Sequence, residues 1–208
     1  MDDTRSRSET RFPGRWAAWF RPWRMMHLLW MRNSVRFFPH WNPASLDQVH
    51  GLIGMIRDIE SRTTRHAVWV ECGSLHGESA GLMLAFPFIV KLHCIDIRDS
   101  RILAARLAPF LKSGRCTFHH GTSRQCQAEI PEVDVAYIDA DHSYDAVKDD
   151  IAVWYPRVAV GGALCGHDYH PSGNAWPGVR RAVDEFVAQH RLTLTTYADS
   201  SWMVLKTA

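Results

Sequence analysis

From Ala67 onward, short runs dense in β-branched and aromatic residues alternate with longer segments whose apolar positions recur three and four apart. The short runs predict strands at 67–72, 91–96, 115–120, 133–139 and 161–166. The longer segments predict helices near 77–86, 99–112, 123–129, 144–155 and 177–190. Such alternation is the signature of a parallel sheet covered by helices on both faces. Two further strands, 192–198 and 201–206, follow with only Asp199-Ser200 as the turn between them. A parallel pair needs a long crossover, so this pair must be antiparallel. The expected architecture is a doubly wound α/β domain, with a mostly parallel seven-stranded sheet that ends in an antiparallel hairpin.

Ahead of the first strand, Ser45 is placed to cap a helix running to about Arg62, with Leu46, Val49, Ile53, Ile56 and Ile59 on one face. The stretch before it differs in kind. Residues 1–36 hold eight arginines against Asp2, Asp3 and Glu9, and Trp16, Trp19, Trp23 and Trp30 recur at near-helical spacing. Two domains are expected, an Arg/Trp-rich helical extension over 1–44 and the α/β domain over 45–208. The extension suits a helical cover, a homodimer contact or peripheral attachment to an anionic membrane surface.

Composition narrows the class. A net charge of +2 over 208 residues gives no global footprint for nucleic acid. The five cysteines form no C-x-x-C pair, which argues for a reducing compartment and against a disulfide framework or a zinc site. No apolar run approaches the roughly 18–20 residues that cross a bilayer. Arg21 and Arg24 interrupt any signal-peptide core. A cytoplasmic protein is expected.

Ligands of such sheets bind outside the carboxyl ends of the strands, so the strand-terminal residues carry the chemistry. The first strand ends at Glu71 and opens into Cys72-Gly-Ser-Leu-His-Gly77 before a helix. Glycines there let backbone approach a ligand closely. The spacing is not the G-x-G-x-x-G that cradles a pyrophosphate, and an acid at the strand end suits a cationic ligand instead. The second strand ends at Asp96, followed by Ile97, where a carboxylate can accept both hydroxyls of a ribose. The third runs into Gly121-Thr-Ser123, the fourth into Asp139-Ala-Asp-His142 and the fifth into Gly166-His-Asp-Tyr169.

These blocks, in this order, resemble the class I S-adenosylmethionine-dependent methyltransferases over roughly residues 45–208, a Rossmann-like fold. The likeness is greatest to the small-molecule O-methyltransferase branch that includes the macrolide-sugar enzymes. It is carried by Val70–Gly77, Ile95-Asp96 and above all Tyr137–Val147, and extended by Gly161–Tyr169 and Pro177–Val183. The resemblance implies that Glu71, Gly73, Ser74 and Gly77 hold the methionine end of the cofactor, with Asp139 beside it. It also implies that Asp96 and Ile97 hold the ribose and its surroundings, and that Thr122 and Ser123 lie near the adenine.

On the acceptor side, metal-assisted relatives place acids at positions matching Asp139, His167 and Asp168. Asp139 and Asp168 suit Mg²⁺ or another divalent cation, whereas His167 departs from the usual oxygen ligand. Two readings stand: a metal held by these three, or local hydrogen bonds without one. His142 matches a general base, which an imidazole can supply near neutral pH. A His that starts a helix after a strand can instead be a cap or a cofactor contact; the base is the favoured reading. His170–Gly178 reads as a lid, with Trp176 as an apolar wall and Gly173 as a hinge. The expected activity is methyl transfer to a hydroxyl of a small molecule (sugar, polyketide or catechol-like), with His142 and Asp139 catalytic. A metal-dependent hydroxylase on the same scaffold and a non-catalytic S-adenosylmethionine-binding protein remain as alternatives. A nicotinamide enzyme is disfavoured by the glycine spacing. Nucleic-acid methylation is disfavoured because the fourth strand lacks the Asn/Asp-Pro-Pro-Tyr/Phe motif.

Overall fold

The computed structural model describes residues 49–63, 66–172 and 175–207. The Arg/Trp-rich extension, the Ser45 cap and the Gly173 hinge lie outside the described residues. Helix α1 (Val49–Arg62) is followed by β1 (Ala67–Cys72), α2 (Glu78–Leu84) and β2 (Ile89–Asp96). Then come α3 (Arg101–Arg106), α4 (Ala108–Lys112), β3 (Cys116–His120) and the single turn α5 (Ser123–Cys126). β4 (Val133–Ile138), α6 (Tyr144–Trp154), β5 (Val158–Gly166), α7 (Pro177–His190), β6 (Leu194–Thr196) and β7 (Trp202–Leu205) complete the order.

The strands form one seven-stranded sheet in the order β3-β2-β1-β4-β5-β7-β6. Pairing is parallel from β3 through β5, and β7 runs antiparallel to both β5 and β6. The fold is the expected one, including the closing antiparallel pair. The chain moves outward from β1 to β3 and then returns to β4, so β1 and β4 flank the point where strand order reverses. Ligands of doubly wound sheets bind at that crevice.

β1 shows why the inner strands read as nearly unbroken apolar runs. Trp69 and Val70 point to opposite faces and both are fully buried, because helices cover each side. On one face, Val70, Cys72, Ile138 and Leu164 pack with Val147, Ile151 and Trp154 of α6 and Val183 of α7. Trp202 of β7 joins the same core.

Three expected helices are shorter than their apolar periodicity. The run 99–112 breaks into α3 and α4 at Leu107. Pro109 has no N–H and its ring would clash with the carbonyl of Ala105, so one continuous helix cannot form. The run 123–129 keeps one α-turn and tightens to a 3₁₀ turn over Gln127–Glu129. Pro131 then forces Ile130 into extended backbone (φ −109, ψ 127). The run 77–86 stops at Leu84. α7 occupies its expected span, 177–190.

Candidate active site

The loop after β1 is left-handed at Gly73 (φ 89), Leu75 (φ 40) and Gly77 (φ 75). Gly73 N–H and Ser74 N–H both donate to the Ile95 carbonyl, which binds the loop to the end of β2. Side by side with it stands Asp96. Its Oδ2 accepts from Leu75 N–H at 2.7 Å and its Oδ1 from Arg98 N–H at 2.8 Å. Each carboxylate oxygen therefore retains lone-pair capacity toward the crevice.

Glu71 lies beneath the loop, fully buried. One oxygen accepts from the Ser79 hydroxyl, while Oε2 is buried without a hydrogen-bond partner. Burial pushes this carboxyl up to about 7, against the opposing pull of the Ser74 and Ser79 hydroxyls. An acid held in that state is one that a cationic ligand would ionise and satisfy.

Beyond Asp96, Ile97 is 64% exposed. A groove of about 560 Å³ runs from it along the end of β3, lined also by His120, Gly121 and Gln125. Thr122 forms a reciprocal capping box with Gln125. Ser123 is buried and its hydroxyl donates to the Cys72 sulfur.

The ends of β4 and β5 bring a second group of residues together. His142 Nε2 lies 2.8 Å from Asp168 Oδ2 and 3.8 Å from Asp139 Oδ1. The Asp168 oxygen is off the line of the ring N–H, which makes the contact an ion pair more than an aligned hydrogen bond. The other Asp168 oxygen, Oδ1, has His167 Nδ1 at 3.3 Å and His170 Nε2 at 3.7 Å. The carboxylates of Asp139 and Asp168 push His142 up to about 10. Burial acts to raise Asp168, but His142 and His167 outweigh it and hold its carboxyl well below the usual range. Burial raises Asp139, with His142 opposing.

Among the described residues, donor atoms of Asp139, His142 and Asp168 lie within 4.8 Å of one another, a spacing that a metal ion could bridge. The imidazole in that trio is His142, whereas the expected third ligand, His167, stands 3.3 Å from Asp168 through Nδ1.

Local backbone explains the convergence. Gly178, at the start of α7, lies against the His142 carbonyl, where a β-carbon would come within 2.6 Å. Trp176, left-handed at φ 46, lays its indole on the His142 ring with centroids 4.2 Å apart. Asp168 is itself left-handed at φ 60, which turns its carboxylate back toward His142. His170 was not singled out from sequence, and no spacing rule would have found it.

Residues 70–169 match a family described as "Methyltransferase domain". A search of curated proteins returns no match. Among solved structures, CalS11, the TDP-rhamnose 3′-O-methyltransferase of calicheamicin biosynthesis, is 14% identical and superposes with a TM-score of 0.58, covering 87% of this chain and 93% of that one. The O-methyltransferase TomG of Streptomyces achromogenes, solved with S-adenosylmethionine, is 16% identical at a TM-score of 0.57, with 89% and 90% covered. The mycinamycin-pathway methyltransferase MycE, solved with Mg and S-adenosylhomocysteine, is 14% identical at 0.54, with 74% and 49% covered. The match over residues 70–169 is to a methyltransferase domain, and the sheet order together with the likeness to these solved structures shows the class I methyltransferase fold. Among the described residues no helix is long and apolar enough to cross a membrane.

Proposed function

We propose that the protein moves the methyl group of S-adenosylmethionine to a hydroxyl oxygen of a small molecule. One juxtaposition carries the reading. The cradle formed by Glu71, the Gly73–Gly77 loop and Asp96 abuts the Asp139–His142–Asp168 cluster, with Gly73 packed on the Asp139 backbone. A cofactor in the first would present its methyl group to an acceptor in the second.

In this assignment Glu71 Oε2 receives the amino group of the methionine end, with Gly73, Ser74 and Gly77 around it. Asp96 accepts the ribose hydroxyls, and Ile97, Thr122 and the Ser123 main chain border the adenine. The sulfonium is already a good leaving group. The protein's task is therefore to align an in-line attack and to take the hydroxyl proton as charge develops.

His142 is the base we assign, with Asp139 and Asp168 orienting it. Flanked by two carboxylates it holds a proton of its own, so it accepts another group's proton only once positive charge has entered beside Asp139 and Asp168. The sulfonium supplies such charge. A divalent cation also fits the donor set: Asp139 and Asp168 would hold it, with His167 or His142 as the nitrogen donor. When bound it would polarise the acceptor hydroxyl and lower its pKa. The acceptor classes that suit this chemistry are sugars, polyketides and catechol-like rings. CalS11, a sugar O-methyltransferase by its description, lends weight to the first.

The deciding experiment is calorimetric titration with S-adenosylmethionine, S-adenosylhomocysteine and NAD, with Asp96→Ala as control. Saturable binding of the first two, lost in the control, supports the reading. Binding of neither by folded protein overturns it.

A further inference from the structure

The left-handed backbone at Leu75 requires an explanation, because residues with a side chain avoid that region. Its surroundings supply one. Besides Asp96, three contacts reach the loop from the segment that follows β2. Ser100, the N-cap of α3, places its hydroxyl 3.1 Å from His76 Nδ1. Leu103 and Leu107 press on Gly77, where a β-carbon would come within 3.3 Å of the Leu107 side chain. Arg106, the last residue of α3, donates from Nη1 to the His76 carbonyl at 2.6 Å and pairs with Glu78 Oε1 at 2.5 Å. The short helix α3 therefore lies across the loop as a brace, fixed at His76 through both of its ends. The Arg106 side chain is only 14% exposed, so solvent screens these contacts little.

Resting on the S-adenosylmethionine reading, we propose that Arg106 is a positioning residue for the cofactor. It acts through the His76 carbonyl and Glu78 to hold the loop in its ligand-ready shape. Its guanidinium satisfies two acceptors on either side of Gly77 at once, which a lysine's single ammonium on a flexible stem does less well. It also neutralises the Glu78 carboxylate beside the cradle, a charge that would otherwise repel the carboxylate of the methionine end.

The test uses the full chain and four variants: Arg106→Ala, Arg106→Lys, Glu78→Gln and, as control, Arg101→Ala on the exposed side of the same helix. Affinity for S-adenosylmethionine and S-adenosylhomocysteine is measured by calorimetry. Hydrogen exchange at residues 75–77 is followed without ligand, and melting temperature is recorded. Arg106→Ala is expected to weaken binding by about tenfold or more, the worth of one charge-assisted hydrogen bond. Arg106→Lys should fall between it and wild type, and Arg101→Ala should bind as wild type does. Exchange at 75–77 should rise in Arg106→Ala while β1 and β4 stay protected.

A folded Arg106→Ala protein that binds within about twofold of wild type, or exchanges at 75–77 at the wild-type rate, overturns the proposal. Should Arg106→Ala fail to fold, Glu78→Gln and Arg106→Lys carry the same two measurements. If wild type itself binds neither cofactor form, the S-adenosylmethionine reading fails. The exchange comparison then still decides whether Arg106 holds the loop.

Discussion

Gly73 approaches Asp139 so closely that a β-carbon on the glycine would meet the aspartate carbonyl oxygen at 2.1 Å. The opposing atoms are backbone, and Gly73 is left-handed at φ 89, so neither side can give way cheaply. Gly73→Ala is expected to cost roughly 2–4 kcal/mol, from the combined penalty of wrong-handed backbone and overpacking. Denaturant unfolding reads the stability. Cofactor titration of whatever folded fraction remains should show the larger loss, since the substitution parts the cradle from the acceptor cluster.

His142→Ala should leave cofactor affinity within about twofold of wild type while turnover of an identified acceptor falls by roughly 10²–10⁴. Undiminished turnover in a variant that binds cofactor normally would remove the base assignment.

Glu71 makes stability fall as pH rises. Its folded pKa, about 7, lies above the usual 4.5, so between those values the folded state keeps a proton that the unfolded chain has released. The penalty accumulates across pH 4.5–7 and is constant above, amounting to about 3 kcal/mol. Burial lowers His93 from 6.5 to about 4, which acts in the opposite direction over roughly pH 4–6.5 and so overlaps the Glu71 window. The informative quantity is therefore the difference between wild type and Glu71→Gln. That difference should favour the variant increasingly from pH 4.5 to 7 in urea titrations and then level off. A flat difference would mean the buried carboxyl titrates normally.

Removing divalent ions tests the cluster from another side. With the ion held by Asp139 and Asp168, exhaustive chelation should suppress turnover and Mg²⁺ or Mn²⁺ should restore it. Asp168→Asn should lose that response and bind Mn²⁺ more weakly by paramagnetic resonance. Turnover indifferent to chelation and to added ions would leave the two carboxylates as partners of the surrounding imidazoles, without a metal.

The strand-end logic explains what was readable in the sequence. Glu71, Asp96, Asp139 and Asp168 each follow an apolar run that has to be a strand, and parallel strands align their ends, so the four had to collect at one rim. What could not be read is how side chains turn once there. That His142 stands between Asp139 and Asp168 depends on left-handed backbone at Asp168 and Trp176, which no periodicity encodes. Ser123 looked like a polar ligand contact, but it is buried in the first turn of the capped helix α5 and its hydroxyl turns inward to the Cys72 sulfur. Arg106 gave no signal at all. Its role depends on how α3 crosses the loop, a tertiary fact.

The position of β7 has a consequence for the order in which the protein is made. Trp202 Nε1 donates to the His167 carbonyl, and Tyr169 N–H donates to the Ser200 carbonyl. The loop carrying His167 and Asp168 therefore rests on residues synthesised well after it. A nascent chain that has emerged only as far as α7 would own every strand bordering the cofactor cradle, yet β5 would still be an open edge, exposed to wrong pairing. The two halves of the site thus mature at different moments of translation. A ribosome stalled between α7 and β7 would display a chain that carries the proposed cofactor cradle while the loop bearing Asp168 still lacks its support.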